Sequence, residues 1–191
     1  MSMIRIAAAM VLALGLVACT DATQDLSGPT EPLGNFLLGH AEVVTEKPEP
    51  QKLLVSRDAT PDEWIDTVDA ALETRFRRFS GDQYYHLGVK VIAYSLPPPV
   101  VPGKSALHIG VTVYDDANCI KLNGKVHDVM VIQVFESRLE LTREEQMTRL
   151  AETAAKELEV WLRDMQQDKG WFTEDFTPPA NAQKISGGCG G

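Results

Sequence analysis

Two capping boxes fence off the middle of this chain and restrict what it can fold into. Thr60-Pro61-Asp62-Glu63 and Thr142-Arg143-Glu144-Glu145 each place a threonine three residues ahead of a glutamate. The hydroxyl can accept from the third helical N–H while the glutamate reaches back to the cap. Pro61 suits the first helical position, whose N–H has no partner within a helix. After the first box, Trp64, Ile65, Val68, Leu72, Phe76 and Phe79 fall on one stripe, and Gly81 stops it. After the second, Met147, Leu150, Ala151, Ala154, Leu158, Trp161, Leu162 and Met165 recur at three and four. Each helix needs an apolar surface to lie on.

The stretch between them supplies one. Tyr85 to Ala93 and Leu107 to Val113 alternate, with Leu87, Val89, Val91 and Ala93 on one face and Leu107, Ile109, Val111 and Val113 likewise. Val129 to Phe135 reads as a further strand, and Phe36 to Val44 as one ahead of the first helix. The order β-α-β-β-β-α predicts an α+β two-layer sandwich, an antiparallel-rich four-stranded sheet with both helices on one face. Asp115-Asp116-Ala117-Asn118 and Asn123-Gly124 are both good turns, so the register between Tyr114 and Val126 stays open. The expected domain is residues 35–176, preceded by a flexible tether at 19–34 and followed by a disordered tail at 177–191, both rich in small and polar residues.

The first eighteen residues are of another kind. Arg5 precedes an apolar run from Ile6 to Ala18, too short for the roughly 20 residues of a membrane-crossing helix and laid out as a secretory signal peptide. Leu16-Val17-Ala18-Cys19 resembles the bacterial lipobox. That resemblance implies cleavage between Ala18 and Cys19 and lipidation of Cys19 with diacylglycerol and an N-acyl chain such as palmitate, a firm anchor because two or more chains are buried. Thr20, where an aspartate would favour inner-membrane retention in enteric-type sorting, implies the outer membrane, with the domain facing the periplasm.

Charge narrows the partners. Without Arg5, 17 basic residues face 27 acidic ones, a net charge of −10 for the mature chain. This argues against nucleic acid and against electrostatic adhesion to anionic lipid; lipid on Cys19 has to do the attaching.

Nothing in the pattern points to catalysis. No Gly-x-Ser-x-Gly elbow is present, Cys119 has no cysteine-protease context, and the glycines from Ser186 to Gly191 open no helix that could cradle phosphate. His86 and His108 lie about 20 Å apart if the Pro97–Gly103 loop closes a hairpin, and Asp115-Asp116 lacks the glycine and glutamate of a calcium loop. No metal, no cofactor and no enzymatic activity are expected.

Lipidation of Cys19 leaves Cys119 and Cys189 in an oxidising compartment, either as a disulfide pinning the tail or, the reading favoured by the unspecified distance, as two thiols. The sheet face turned away from the helices is the best binding candidate. Ile92, Tyr94, His108 and Tyr114 alternate onto it, and the stiff uncharged loop Pro97, Pro98, Pro99, Val100, Val101 adjoins it. The competing reading is that Trp171 to Phe176 folds back over this face.

A lipobox followed by β-α-β-β-β-α resembles the lipopolysaccharide-assembly and transport-auxiliary lipoproteins. Asn35-Phe36, Leu38-Gly39-His40, Thr60-Pro61-Asp62-Glu63-Trp64, Tyr85-His86-Leu87-Gly88-Val89 and Val111-Thr112-Val113-Tyr114-Asp115-Asp116 are similar to uncharacterised lipoproteins of alphaproteobacteria. The resemblance implies little about function, but the outer sheet face, the proline loop and the missing catalytic motifs lead to the expectation of a non-catalytic docking or accessory subunit of an envelope assembly or transport system, with an envelope protein as partner. The alternative is a lipid- or small-ligand-binding lipoprotein with a pocket between helices and sheet.

Overall fold

The computed structural model describes residues 26, 28–53, 55–99, 101, 103–133 and 141–185. The signal segment, Ala18, Cys19, Val100, Phe135 and Cys189 lie outside the described residues. No described helix is long and apolar enough to cross a membrane.

Both capping boxes form. Thr60 and Thr142 each accept from the third helical N–H and receive the return bond, starting α1 (Pro61–Phe76) and α2 (Arg143–Lys169). Around them run β1 (Phe36–Thr45), β2 (Gln51–Lys52), β3 (Gln83–Ser95), β4 (Ser105–Asp115), β5 (Ile120–Lys121) and β6 (His127–Gln133). The sheet therefore has six strands rather than four, and it is mixed rather than antiparallel-rich. β1 runs parallel to β3 because α1 crosses over between them. β3–β4, β4–β5 and β4–β6 are antiparallel.

The two extra strands come from interruptions in the outer lanes. β2 continues the line of β1 along β3, pairing Gln51 and Lys52 with Ala93 and Tyr94 after the chain loops out around the cis Lys47–Pro48 peptide. On the far side, β5 pairs with Tyr114 and Asp115, while β6 pairs with Ser105 to Val111. Both sequence turns are used. Asp115 accepts from the Asn118 N–H (3.1 Å) in the first. In the second, Asn123 staples the gap between strands, its side chain accepting from Val113 N–H (2.8 Å) and donating to the carbonyls of Val111 and Lys125.

Both helices cover one face, α1 over β1 and α2 over β4 and β6. They point the same way, since Arg143 meets Glu63 at one end and Arg75 meets Glu159 (2.9 Å) at the other. The core between layers is aromatic at one end. Phe36 stacks on Tyr85 (centroids 5.6 Å apart, 4° between planes) and receives the edge of Phe172 at 5.2 Å. Tyr85 is buried, which together with Asp115 pushes its phenol well above the usual range.

Two segments expected to be loose are tied down. Leu33 is buried, Arg163 donates to the carbonyls of Glu31 (2.9 Å) and Pro32 (3.3 Å), and Arg78 donates to that of Gly28 (3.2 Å). Beyond Thr177, Lys121 N–H donates to Gln183 (2.9 Å), Ile185 N–H donates to Cys119 (3.0 Å), and Lys184 bridges Ile120. The tail thus lines the edge of β5.

Candidate functional site

A one-residue irregularity in β3 decides which side chains reach the outer face. Val91 pairs with Ile109 but Ala93 pairs with His108, leaving Ile92 as an extra residue. Past such a bulge the alternation inverts. Tyr94, expected outside, turns into the core, where its ring lies 5.2 Å from Trp64 and its hydroxyl bonds both the N–H and the carbonyl of Ala59.

The proline loop is also less open than expected. Leu96 and Pro97 are buried, Pro98 is half-buried and Pro99 is exposed. Leu96 is clamped by Ser56 Oγ (2.7 Å) and Arg57 N–H (2.8 Å), and half-buried Val101 donates back to Pro98 (3.1 Å). Val129 and Val131 face the core, so β6 contributes Met130 and Ile132 to the outer side.

Three expected residues do reach that side. Ile92 and Tyr114 frame a shallow groove of about 350 Å³ in which Gly88 and Gly110 form the floor. A Cβ on Gly88 would stand 3.0 Å from the Tyr114 ring, and one on Gly110 would meet Val126 at 2.8 Å and Ile92 at 3.2 Å. The glycines let these larger side chains lie flat over the sheet. His108 sits farther along, its Nε2 2.9 Å from Asp128. Exposed Val44 and Val126 line the groove, with Lys90 paired to Glu46 (2.8 Å) beyond.

At the other end of the groove two histidines meet. β1 bulges so that Gly39 and His40 oppose the single residue His86. The His40 N–H donates to His86 Nδ1 (3.2 Å), and the rings lie 4.1 Å apart. With Nδ1 accepting, the imidazole proton belongs on Nε2, which lies 3.4 Å from Asp116 Oδ1. Gly39 is needed here, because a Cβ would come within 2.3 Å of the His86 ring. The pairing of His40 with His86 was out of reach of sequence reasoning, since it depends on the parallel register of β1. Among the described residues no group of three His, Cys, Asp or Glu side chains is placed to hold a metal ion.

Trp171 and Phe172 do not cover this face. Both are buried on the helix side, Phe172 against Tyr85 (4.7 Å) and Trp171 against Trp161 (5.5 Å). Trp171 instead forms one wall of a second cavity of about 610 Å³, lined by Ile120, Leu122, Trp161, Met165 and Phe176, with Lys121 and Lys169 also lining it. Cys119, in the turn beside it, is disulfide-bonded, which corrects the expectation of two thiols; its partner lies outside the described residues.

No family model matches the chain, and no curated protein matches it. Solved structures do. A Xanthomonas campestris protein of family-model DUF330 is similar at 12% identity over 75% of this chain and 92% of its own, with a TM-score of 0.45. A minor lipoprotein from Acinetobacter baumannii is similar at 14% identity over 79% of this chain and 98% of its own, with a TM-score of 0.31. The PelC dodecamer of Paraburkholderia phytofirmans follows at 12% identity, 66% and 90% coverage, and a TM-score of 0.35. None of these likenesses carries a function to this chain.

Proposed function

We propose that this protein is a non-catalytic docking or accessory subunit of a cell-envelope assembly or transport system, held by lipid on Cys19 and facing the periplasm from the outer membrane. The outer sheet face carries the reading. Antiparallel faces left to solvent are normally polar, whereas here Val44 and Val126 are 44% and 55% exposed around a glycine-floored groove. A protein partner would cover them. The anchor rests on the lipobox, and the non-catalytic role on the lack of a recognisable catalytic motif in the sequence.

The experiment is crosslinking in the living envelope with a photoreactive residue at Val44 or Val126, against the same residue at exposed Asp62 on α1. One discrete adduct from the first two positions and none from the third is expected. Equal patterns from all three would overturn the docking role. Loss of fatty-acid labelling in Cys19→Ser, with the protein released to the soluble fraction, is the expected result for the anchor.

The 610 Å³ cavity favours a second reading, a site for an apolar ligand, by its tryptophan, methionine and phenylalanine lining. Mass spectrometry of lipid extracted from the Cys19→Ser protein separates the two: a stoichiometric lipid supports the ligand reading, and its absence removes it.

A further inference from the structure

Strand β6 ends the sheet on one side. His127 to Gln133 pair with Ser105 to Val111 of β4 without a break in register, and among the described residues no other strand pairs with β6. Alternate residues of such a strand turn N–H and C=O groups away from their one partner. Edges of this kind are commonly blunted by lysine, proline or a bulge. β6 has none of these, and its one carboxylate is Asp128.

Beside the open edge, α2 presents Thr153, Glu157, Val160, Trp161 and Asp164, and strand and helix enclose a groove of about 460 Å³. Thr153 to Asp164 rises roughly 16 Å along the helix, the length of about five extended residues at 3.3 Å each. The wall is firm at one point, because Trp161 is stacked on His127 (3.9 Å, 5°) and braced by Trp171. Gln133 closes the other end by donating to the Thr153 hydroxyl. Met130, Ile132 and Val160 stay 47% to 58% exposed along it. Three carboxylates, those of Asp128, Glu157 and Asp164, line this groove, and no lysine or arginine does.

We propose that the groove between β6 and α2 receives an extended basic segment of a partner protein, which joins the sheet as a strand beside β6. Main-chain bonds along β6 would supply affinity, and alternating side chains the choice of partner. On the outer side of the sheet the segment's apolar residues lie against Met130 and Ile132, and on the helix side its lysines or arginines face Glu157 and Asp164. A second copy of the chain is a poor occupant, since pairing β6 with itself would crowd these carboxylates together in a protein of net charge −9. The inference goes beyond the outer-face reading and uses other residues.

The test is amide hydrogen exchange and fluorescence anisotropy on the chain from residue 19, carrying Cys19→Ser, with a labelled nonapeptide alternating valine and lysine. A valine–glutamate peptide is the control. The expected result is binding of the basic peptide alone, with exchange at residues 127–133 slowed at least tenfold and β1 unchanged. A Glu157→Lys, Asp164→Lys double variant, folded by its unchanged thermal transition, should weaken the peptide at least tenfold. The proposal is overturned if β6 exchange does not slow, if both peptides bind alike, if the double variant binds normally, or if the free protein already protects β6 in a concentration-dependent dimer.

Discussion

Arg143, the first residue of α2, donates to the carboxylate of Glu63 in the first turn of α1 (Nη1 to Oε2, 3.1 Å) and to the carbonyl of Asp58 (2.7 Å). One guanidinium therefore ties the starts of both helices together, and the same carboxylate also closes the α1 capping box by accepting from Thr60 N–H (2.7 Å).

The Arg143 guanidinium, helped by Thr60, holds the Glu63 carboxyl at about 2, against an ordinary value of 4.5. A depressed folded value means that the stabilisation is complete above pH 4.5 and is lost as pH falls toward 2. Glu63 is 38% exposed, so solvent screening reduces the contribution to about 1 kcal/mol. Thermal melts between pH 6 and pH 1.5 should show Glu63→Gln less stable at pH 6 and the gap narrowing below pH 4.5 until it closes below pH 2. A constant difference across that range would contradict the assignment.

Gly81 and Gly124 should respond in opposite ways to alanine. A Cβ on Gly81 would stand 2.1 Å from the carbonyl carbon of Asn35, whereas Gly124 has nothing within 4 Å. Backbone cannot yield as a side chain can, so Gly81→Ala should cost about 2 kcal/mol or more and Gly124→Ala within about 0.5 kcal/mol. Urea unfolding of the two variants provides the comparison.

Phe172 is fully buried between Phe36, Tyr85 and Trp171. Truncating it to alanine should cost about 3–5 kcal/mol. Phe176 is half-buried against the second cavity, and its alanine variant should lose less than half as much. A reversed order in calorimetry would place the aromatic anchor elsewhere.

The disulfide of Cys119 can join only Cys19 or Cys189, the other cysteines of the chain. Ile185 hydrogen-bonds Cys119 four residues short of Cys189, and a lipidated Cys19 has no thiol to give. Peptide mapping without reductant should recover Cys119 linked to Cys189, and Cys189→Ser should lower stability by about 2–5 kcal/mol. A Cys119–Cys19 peptide from membrane-extracted protein would count against both the pairing and the anchor.

What could be read from the residues divides along a physical line. Thr60, Thr142 and the apolar alternation from Leu87 to Val91 act over a few residues, so their helices and strands were legible. The inward turn of Tyr94 was not, because a single extra residue at Ile92 reverses the pattern without altering composition. Gly81 was read as a helix stop, yet it also lets the backbone of Asn35 approach. The candidate groove was partly legible in Ile92, His108 and Tyr114, but His40, Val44, Val126 and the two floor glycines enter through pairings between segments distant in the chain.

The docking of Gly28 to Leu33 against α2 and Arg78 has a consequence for height. With lipid on Cys19, only the nine peptide steps to Gly28 separate anchor from folded protein, a leash of at most about 30 Å even when taut. An anchor at Cys19 would therefore make the domain a short-standing fixture rather than a roaming one, its near end kept within roughly one bilayer's thickness of the surface that holds it.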